Sequence, residues 1–303
     1  MNNVRELIAW ATAQLKSAQC MSPENDARLL LTHVLKCDRN ELDALVSLSD
    51  SQLTEFKGLV KQRAKRIPLQ HLTGQAFFRY LELQVGPGVF IPRPETELLV
   101  QAGLDYLTNK SVPKLAVDLC AGSGAIALSL ALESANTTVH AVEFSAEAFN
   151  WLEKNVQAYA NQLARVNSSV ITYNDDATSR EVLVNLNGAV DLVLSNPPYI
   201  PSDMIPREPE VREYDPALAL YGGPDGLEIA RKVSVVAADL LKPSGFFGME
   251  HADVQSESAI ELLTSQKLGE QHIWSEVVDH LDYNDLPRFV TAKRTLVESR
   301  FAQ

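Results

Sequence analysis

Asn196-Pro197-Pro198-Tyr199 follows Asp191-Leu192-Val193-Leu194-Ser195, a run that reads as a buried strand. Two consecutive prolines cannot continue a sheet, so the chain stops there in a rigid, extended turn at the strand's carboxyl end. The turn projects one side-chain amide, one ring, and carbonyls with no competing N–H from either proline. A planar NH2 group needs that set. The Asn196 side-chain oxygen and the Pro197 carbonyl can each accept one of its hydrogens, while Tyr199 packs on the flat face. A planar amide or aromatic amine is a weak nucleophile because its lone pair is delocalised. The chemistry on offer is therefore positioning for in-line attack on a sulfonium methyl, helped by acceptors preorganised for hydrogens that become acidic. Asn-Pro and Pro-Pro are also ordinary turn signals, and the bland reading is a chain reversal without a ligand.

A second constellation lies upstream. Val117-Asp118-Leu119-Cys120-Ala121-Gly122-Ser123-Gly124-Ala125-Ile126-Ala127 runs from a strand into a helix. Gly122 and Gly124 permit a tight turn and let a ligand approach the backbone, and the helix N-terminus behind them favours negative charge. Glu143 ends the next strand nineteen residues after Gly124, where a ribose-binding carboxylate belongs. Gly122-x-Gly124-x-x-Ala127 also fits a loose dinucleotide fingerprint. Asp118 weighs against that reading, because a carboxylate beside the loop repels a pyrophosphate and welcomes an ammonium. S-adenosyl-L-methionine has no phosphate and carries an ammonium, a carboxylate and a ribose diol. It fits Asp118, the loop amides and Glu143 in that order. The plain alternative is a glycine turn that closes a βα unit.

The elements that must position these groups alternate in type. Leu115–Leu119, Val139–Glu143, Val170–Tyr173, Val190–Ser195, Phe246–Glu250 and Phe289–Lys293 read as strands. Helices fit Ala125–Leu132, Ala146–Leu163, Leu227–Leu241 and Val254–Ser265. That rhythm predicts an open, mostly parallel α/β sheet with ligands beyond the carboxyl ends of its strands. Residues 1–74 instead read as an all-α module. Val4, Leu7, Ile8, Ala11 and Leu15 fall at helical spacing, and Ser22-Pro23-Glu24 caps a second helix carrying Ala27, Leu30, Leu31, Val34 and Leu35. Leu42, Leu45 and Val46 suggest a third helix, and Leu53, Phe56, Leu59, Val60 and Ala64 a fourth. Between the two regions, 75–93 reads as a β-hairpin linker. Leu81, Leu83 and Val85 form one strand, Gly86-Pro87-Gly88 the turn, and Val89-Phe90-Ile91 the return. Phe77, Phe78 and Tyr80 would be its core. Residues 94–303 form the second domain, with a helix starting at Pro94.

Composition bounds the rest. The 303 residues carry 27 Lys+Arg against 39 Asp+Glu, a net charge of −12. With 46% hydrophobic and 22% charged residues, the chain has the apolar surface to fold, which excludes a mainly disordered protein. The acidic balance argues against direct binding to duplex DNA. Cys20, Cys37 and Cys120 form no C-x-x-C pair and leave an odd thiol, which fits a reducing compartment. The six histidines include no H-E-x-x-H, and no metal site is expected. No signal-like core or membrane-length apolar run is found, so a cytoplasmic location is expected. Cys120 lacks a base partner and reads as a small packed residue. Glu95 and Glu97 read as a favourable helix start, with contact between Glu97 and the cofactor site as the alternative. Lys61, Arg63, Lys65 and Arg66 read as a solvated helix face, with partner contact as the alternative. His140, inside a strand, reads as structural.

The glycine loop together with Asn196-Pro197-Pro198-Tyr199 resembles the class I methyltransferases that modify planar NH2 groups. Ile91-Pro92-Arg93-Pro94-Glu95-Thr96-Glu97, Glu210-Val211-Arg212-Glu213-Tyr214-Asp215-Pro216 and Gly222-Gly223-Pro224-Asp225-Gly226-Leu227 narrow the resemblance to the HemK/PrmC family. It spans nearly the whole chain, from Arg66-Ile67-Pro68 with Leu72-Thr73-Gly74 to Asp285-Leu286-Pro287-Arg288. The resemblance implies a class I, Rossmann-like S-adenosylmethionine-dependent methyltransferase domain behind a small helical docking domain. It also implies methyl transfer to the side-chain amide nitrogen of the glutamine in a Gly-Gly-Gln loop of class I peptide chain release factors; a monomer is expected. By motif, Cys120, Ala121, Gly122, Ser123 and Gly124 would line the methionine part of the cofactor and Glu143 the ribose. Asp176, with Ala177 beside it and Asp175 as the register alternative, would lie at the adenine. Asn196, Pro197, Pro198 and Tyr199 would hold the glutamine, and Asn196 would also border the cofactor. The family usually has Gly-Thr at Cys120-Ala121 and Asp at Glu143. Three rival readings remain: a ribosomal-protein glutamine methyltransferase, which lacks the Pro92-Arg93-Pro94-Glu95 signature, a nucleic-acid amino-methyltransferase, and a non-enzymatic cofactor-binding module.

Overall fold

A computed structural model describes residues 3–42 and 47–296. They divide into two compact units. Leu45 and Val46 of the expected third helix, and the tail from residue 297, lie outside the described residues.

The first unit gathers Met1–Gln75, Val85–Pro87 and Ile205–Asp215. Helix α1 (Val4–Ser17) starts where the Asn3 side chain accepts the Arg5 N–H, and buries Val4, Leu7, Ile8, Ala11 and Leu15. Helix α2 (Pro23–Leu35) has proline at its first position, but the Ser22 side chain makes no cap bond, so the proline and acidic first turn carry that start. Ser49 and Gln52 form a reciprocal capping box on α3 (Asp50–Arg63). Helix α4 (Leu69–Thr73) ends at Gly74 in the left-handed region. Apolar faces meet around Phe56, which Trp10 touches edge-on at 6.3 Å between ring centres.

A buried charge cluster completes this unit and corrects the reading of the basic run. Arg63 Nε donates to Asp26 at 2.8 Å and its terminal nitrogen lies 2.8 Å from Glu210. Arg66 also reaches Glu210, at 2.7 Å through Nε. The Tyr214 hydroxyl donates to the Lys65 carbonyl. Glu210 and Tyr214 belong to α9 (Pro209–Tyr214). Arg63 and Arg66 therefore face this chain's own carboxylates, while Lys61 and Lys65 stay in solvent. Burial pushes the Glu210 carboxyl up, but the two guanidinium groups outweigh it and hold it below its ordinary value.

The second unit opens on a hairpin of β1 (Gln75–Phe78) and β2 (Leu81–Gln84). The chain does turn at Pro87-Gly88, where Gly88 takes a φ of +90°, but the expected return strand at Val89-Phe90-Ile91 does not form, so this turn closes no hairpin. The chain reverses earlier, at Arg79-Tyr80, where Arg79 takes a φ of +50°. Glu97 and Glu133 fix that turn by accepting the Arg79 main-chain N–H at 3.0 Å and its guanidinium at 2.7 Å. Val89 and Ile91 are buried without pairing. Phe78 alone of the three aromatic residues is core: β1 buries Ala76 and Phe78 on one face and leaves Phe77 on the other, and Tyr80 lies exposed in the turn.

Helix α5 (Thr96–Thr108) leads into a seven-stranded sheet of order β10-β11-β7-β6-β3-β4-β5. Its strands are β3 (Lys114–Leu119), β4 (Thr137–Glu143), β5 (Ser169–Asn174), β6 (Val190–Ser195), β7 (Leu241–Glu250), β10 (Trp274–Leu281) and β11 (Pro287–Arg294); β8 (Lys267–Leu268) and β9 (Gln271–His272) form a separate ribbon. The strands from β3 to β7 pair in parallel, and β11 and β10 add antiparallel. Strand β10 has no counterpart in the sequence reading, because only Trp274 of its eight residues is fully buried. Helix α6 (Ala125–Glu133) buries almost its whole circumference. The single helix expected over Ala146–Leu163 is two, α7 (Ala146–Ala158) and α8 (Ala160–Arg165), broken at Tyr159, whose hydroxyl meets the main chain of Glu82. Helices α10 (Ala217–Leu220), α11 (Glu228–Leu240) and α12 (Ser256–Ser265) complete the unit. No helix among the described residues is long and apolar enough to cross a membrane.

Candidate active site

The order of strands reverses at β3, which lies between β4 and β6. Such a switch point leaves a crevice beyond the carboxyl ends of the strands. The glycine loop leaves β3, Glu143 ends β4, the Asp175-Asp176 pair follows β5, and Asn196-Pro197-Pro198-Tyr199 leaves β6. The fold thus brings the candidate residues to one end of one sheet.

Asp118 is fully buried within β3. Its Oδ2 accepts the Ala127 N–H in the first turn of α6 at 3.0 Å, whereas Oδ1 has no partner. Burial raises its pKa to about 7, against the opposing pull of that N–H. Cys120 holds a φ of +68° and Gly122 one of +55°, the left-handed region that favours glycine. The cysteine thus occupies a conformation that suits the glycine more usual there. Burial and the carboxyls of Glu143 and Asp118 push its thiol up, away from a reactive thiolate. A Cβ added to Gly122 would meet nothing within 4 Å, so the loop is open on that side. One added to Gly124 would lie 2.7 Å from Leu152, which explains glycine there by packing. Buried Asn155 braces the loop, donating to the Ser123 carbonyl at 2.9 Å and accepting the Gln84 N–H at 2.8 Å.

Both Glu143 oxygens are held by main chain: Oε2 accepts the Gly122 N–H at 2.8 Å and Oε1 the Ser145 N–H at 2.7 Å. Each keeps a further lone pair for a hydroxyl. Burial raises the Glu143 pKa despite these bonds. Beyond β5, Asp176 is half-buried and its Oδ1 accepts both the main-chain N–H and the hydroxyl of Thr178. Asp175 is exposed and accepts the Asp176 N–H, and Ala177 is buried.

In the sheet register Ser195 lies opposite Met249, so Asn196 and Glu250 follow side by side. Asn196 Nδ2 donates to Thr96 Oγ1 at 3.2 Å. Thr96 donates to Glu250 Oε2 at 2.6 Å, and the Tyr199 hydroxyl donates to Glu250 Oε1 at 3.2 Å. Burial raises the Glu250 pKa to about 7, opposed by the Thr96 bond and the nearby Arg288 charge. Burial also pushes the Tyr199 hydroxyl far above its ordinary value. The Tyr199 carbonyl accepts Gln255 Nε2 at 2.9 Å. The glycine-rich stretch supports the turn: the Gly222 N–H donates to the Ile200 carbonyl at 2.9 Å and the Ser202 N–H to the Gly223 carbonyl at 2.9 Å. A Cβ on Gly226, whose φ is +76°, would lie 2.2 Å from the Tyr199 carbonyl oxygen.

Relatives of known name share this organisation of sequence. A family model described as PrmC N-terminal domain matches residues 6–74, and one described as Conserved hypothetical protein 95 matches residues 71–214. A release factor glutamine methyltransferase of Streptomyces coelicolor is 42% identical over 299 residues, covering 98% of this chain and 100% of that one. Its namesake from Bifidobacterium longum is 44% identical over 264 residues, 85% of this chain and 90% of that one. That of Mycobacterium tuberculosis is 39% identical over 297 residues, 96% and 91% of the two chains. This chain belongs to the release factor glutamine methyltransferase family.

In this family member, sequence reasoning overlooked Thr96, Asn155, Gln255 and Glu250. Thr96 stands between two acids that carry the stronger signal of a helix start, although Glu97 serves the hairpin turn at Arg79. Glu250 left a signal: an acid at the carboxyl end of a strand beside the switch point. His140 stacks on Tyr173, with its Nδ1 2.9 Å from that hydroxyl.

Proposed function

We propose that this chain transfers a methyl group from S-adenosyl-L-methionine to the side-chain amide nitrogen of the glutamine in the Gly-Gly-Gln loop of class I peptide chain release factors. Family membership supports the substrate class. The observation that carries the chemistry is the orientation of Asn196, whose NH2 is committed to Thr96 and whose oxygen is thereby left to accept from a substrate amide.

The residues present fit the cofactor. The unpartnered, buried Oδ1 of Asp118 suits a cation, the open side of Gly122 admits a ligand against the backbone, and Glu143 retains lone pairs for a diol. Asp176 and Ala177, next along the crevice, are assigned to the adenine end. Bound there, S-adenosylmethionine would supply an activated methyl: the amide nitrogen would gain an N–C bond as the S–C bond breaks, leaving a neutral thioether, and the one proton it loses would pass to solvent. The chain's own residues do the rest. The Asn196 oxygen and the Pro197 carbonyl hold the two amide hydrogens, which polarises the nitrogen and aims its lone pair. Pro198 stiffens the turn, and Tyr199, locked through Glu250 and Gln255, limits how the amide can rotate. We assign docking of the release factor to the helical unit and expect a cytoplasmic monomer.

Incubating the purified chain with labelled methyl donor and a class I release factor tests this reading. Label should enter the intact factor and not one whose Gly-Gly-Gln reads Gly-Gly-Ala. Equal labelling of both would overturn it.

A further inference from the structure

The Pro94-Glu95-Thr96-Glu97 stretch reaches the Asn196 turn through one side chain. A hydroxyl has a single hydrogen, and the Thr96 hydrogen goes to Glu250 at 2.6 Å. Thr96 Oγ1 can then only accept from Asn196, which forces the asparagine NH2 inward and its oxygen outward. Turned the other way, Asn196 would set oxygen against oxygen and offer the incoming NH2 a donor where it needs an acceptor. The second Glu250 oxygen takes the Tyr199 hydroxyl, so one carboxylate orders both polar side chains of the turn. Thr96 and Glu250 are both buried, out of competition with water.

We propose that Thr96 and Glu250 are positioning residues for amide methylation: the carboxylate sets the direction of a hydrogen-bond chain that holds Asn196 as an acceptor toward the substrate. This rests on the function proposed above. It gives Pro94-Glu95-Thr96-Glu97 a chemical purpose, namely to deliver a hydroxyl from the start of α5 to the end of β6.

The test compares wild type with Thr96→Val, Thr96→Ser and Glu250→Gln in mildly alkaline buffer. It measures kcat on a release factor substrate, and S-adenosylmethionine affinity by calorimetry. Valine keeps the shape and removes the bond, so kcat should fall about tenfold with cofactor affinity held within about twofold. Serine restores the hydroxyl and should recover most of the loss. Glu250→Gln can point an NH2 at Thr96 and reverse the chain, so it should also lose kcat. Wild-type kcat in Thr96→Val, a loss that serine does not recover, or a matching loss of cofactor affinity would each overturn the proposal. If either variant fails to fold, the other carries the comparison. An inactive wild type would overturn the proposed function, whereas an active wild type with an equally active Thr96→Val overturns this inference alone.

Discussion

At Asn196 the decisive property is which atom faces the substrate. Replacing it with alanine removes the acceptor and leaves the cofactor residues on β3 and β4 intact. Turnover should fall about a hundredfold or more with little change in S-adenosylmethionine affinity. A large rise in cofactor Kd with normal kcat would contradict the assignment. Asp118→Ala should act the other way, weakening calorimetric cofactor affinity first. A cation beside Oδ1 favours the ionised carboxyl, so wild-type affinity should tighten as pH rises through about 7. In the unliganded chain Asp118 and Glu250 hold protons to about 7, well above the ordinary carboxylate range. Between those limits the folded state binds more protons than the unfolded state. Their contribution to stability is therefore full below the unfolded pKa and is lost as pH rises through the folded value. Urea titrations should show wild type losing stability relative to Asp118→Asn between about pH 4 and about pH 7. A constant difference would contradict that environment.

The elements succeed where a repeating pattern meets a buried face. Strands β3, β4 and β6 were legible because each buries both faces in a parallel sheet and reads as an apolar run. The hairpin was displaced because Gly86-Pro87-Gly88 is the stronger local turn signal, whereas the actual reversal depends on Glu97 and Glu133, distant in sequence. Asn196-Pro197-Pro198-Tyr199 was legible as an acceptor turn from residue types alone. Its orientation was not, since Thr96 and Glu250 reach it only through the fold. The Gly222–Gly226 stretch belongs to the same class, because its glycines answer to the Pro198 and Tyr199 carbonyls. Gly226→Ala forces a Cβ onto the Tyr199 oxygen at a φ of +76°. It should lower turnover more than it lowers cofactor affinity, and unchanged kcat would show that the turn tolerates displacement.

Across the whole molecule, one unit carries the candidate chemistry and the other a buried charge cluster. Ile205–Asp215 is folded with the helical unit although its sequence neighbours on both sides belong to the catalytic one. Arg63 links Asp26 and Glu210 there, and its removal leaves buried Asp26 without that partner while Glu210 keeps Arg66. Arg63→Ala should cost on the order of 3–5 kcal/mol in denaturant unfolding of the full chain, and a loss below about 1 kcal/mol would make the cluster incidental. Residue types alone did not show this, because a run of Lys and Arg looks the same whether it meets solvent or distant acids. Both units serve the methylation of one glutamine nitrogen in the proposed function. Its most direct test is peptide mass spectrometry of a class I release factor after incubation with wild type or Asn196→Ala and S-adenosylmethionine. One added CH2 on the Gly-Gly-Gln glutamine is expected with wild type and nearly none with the variant. A modified residue elsewhere, or equal modification by both enzymes, would contradict it.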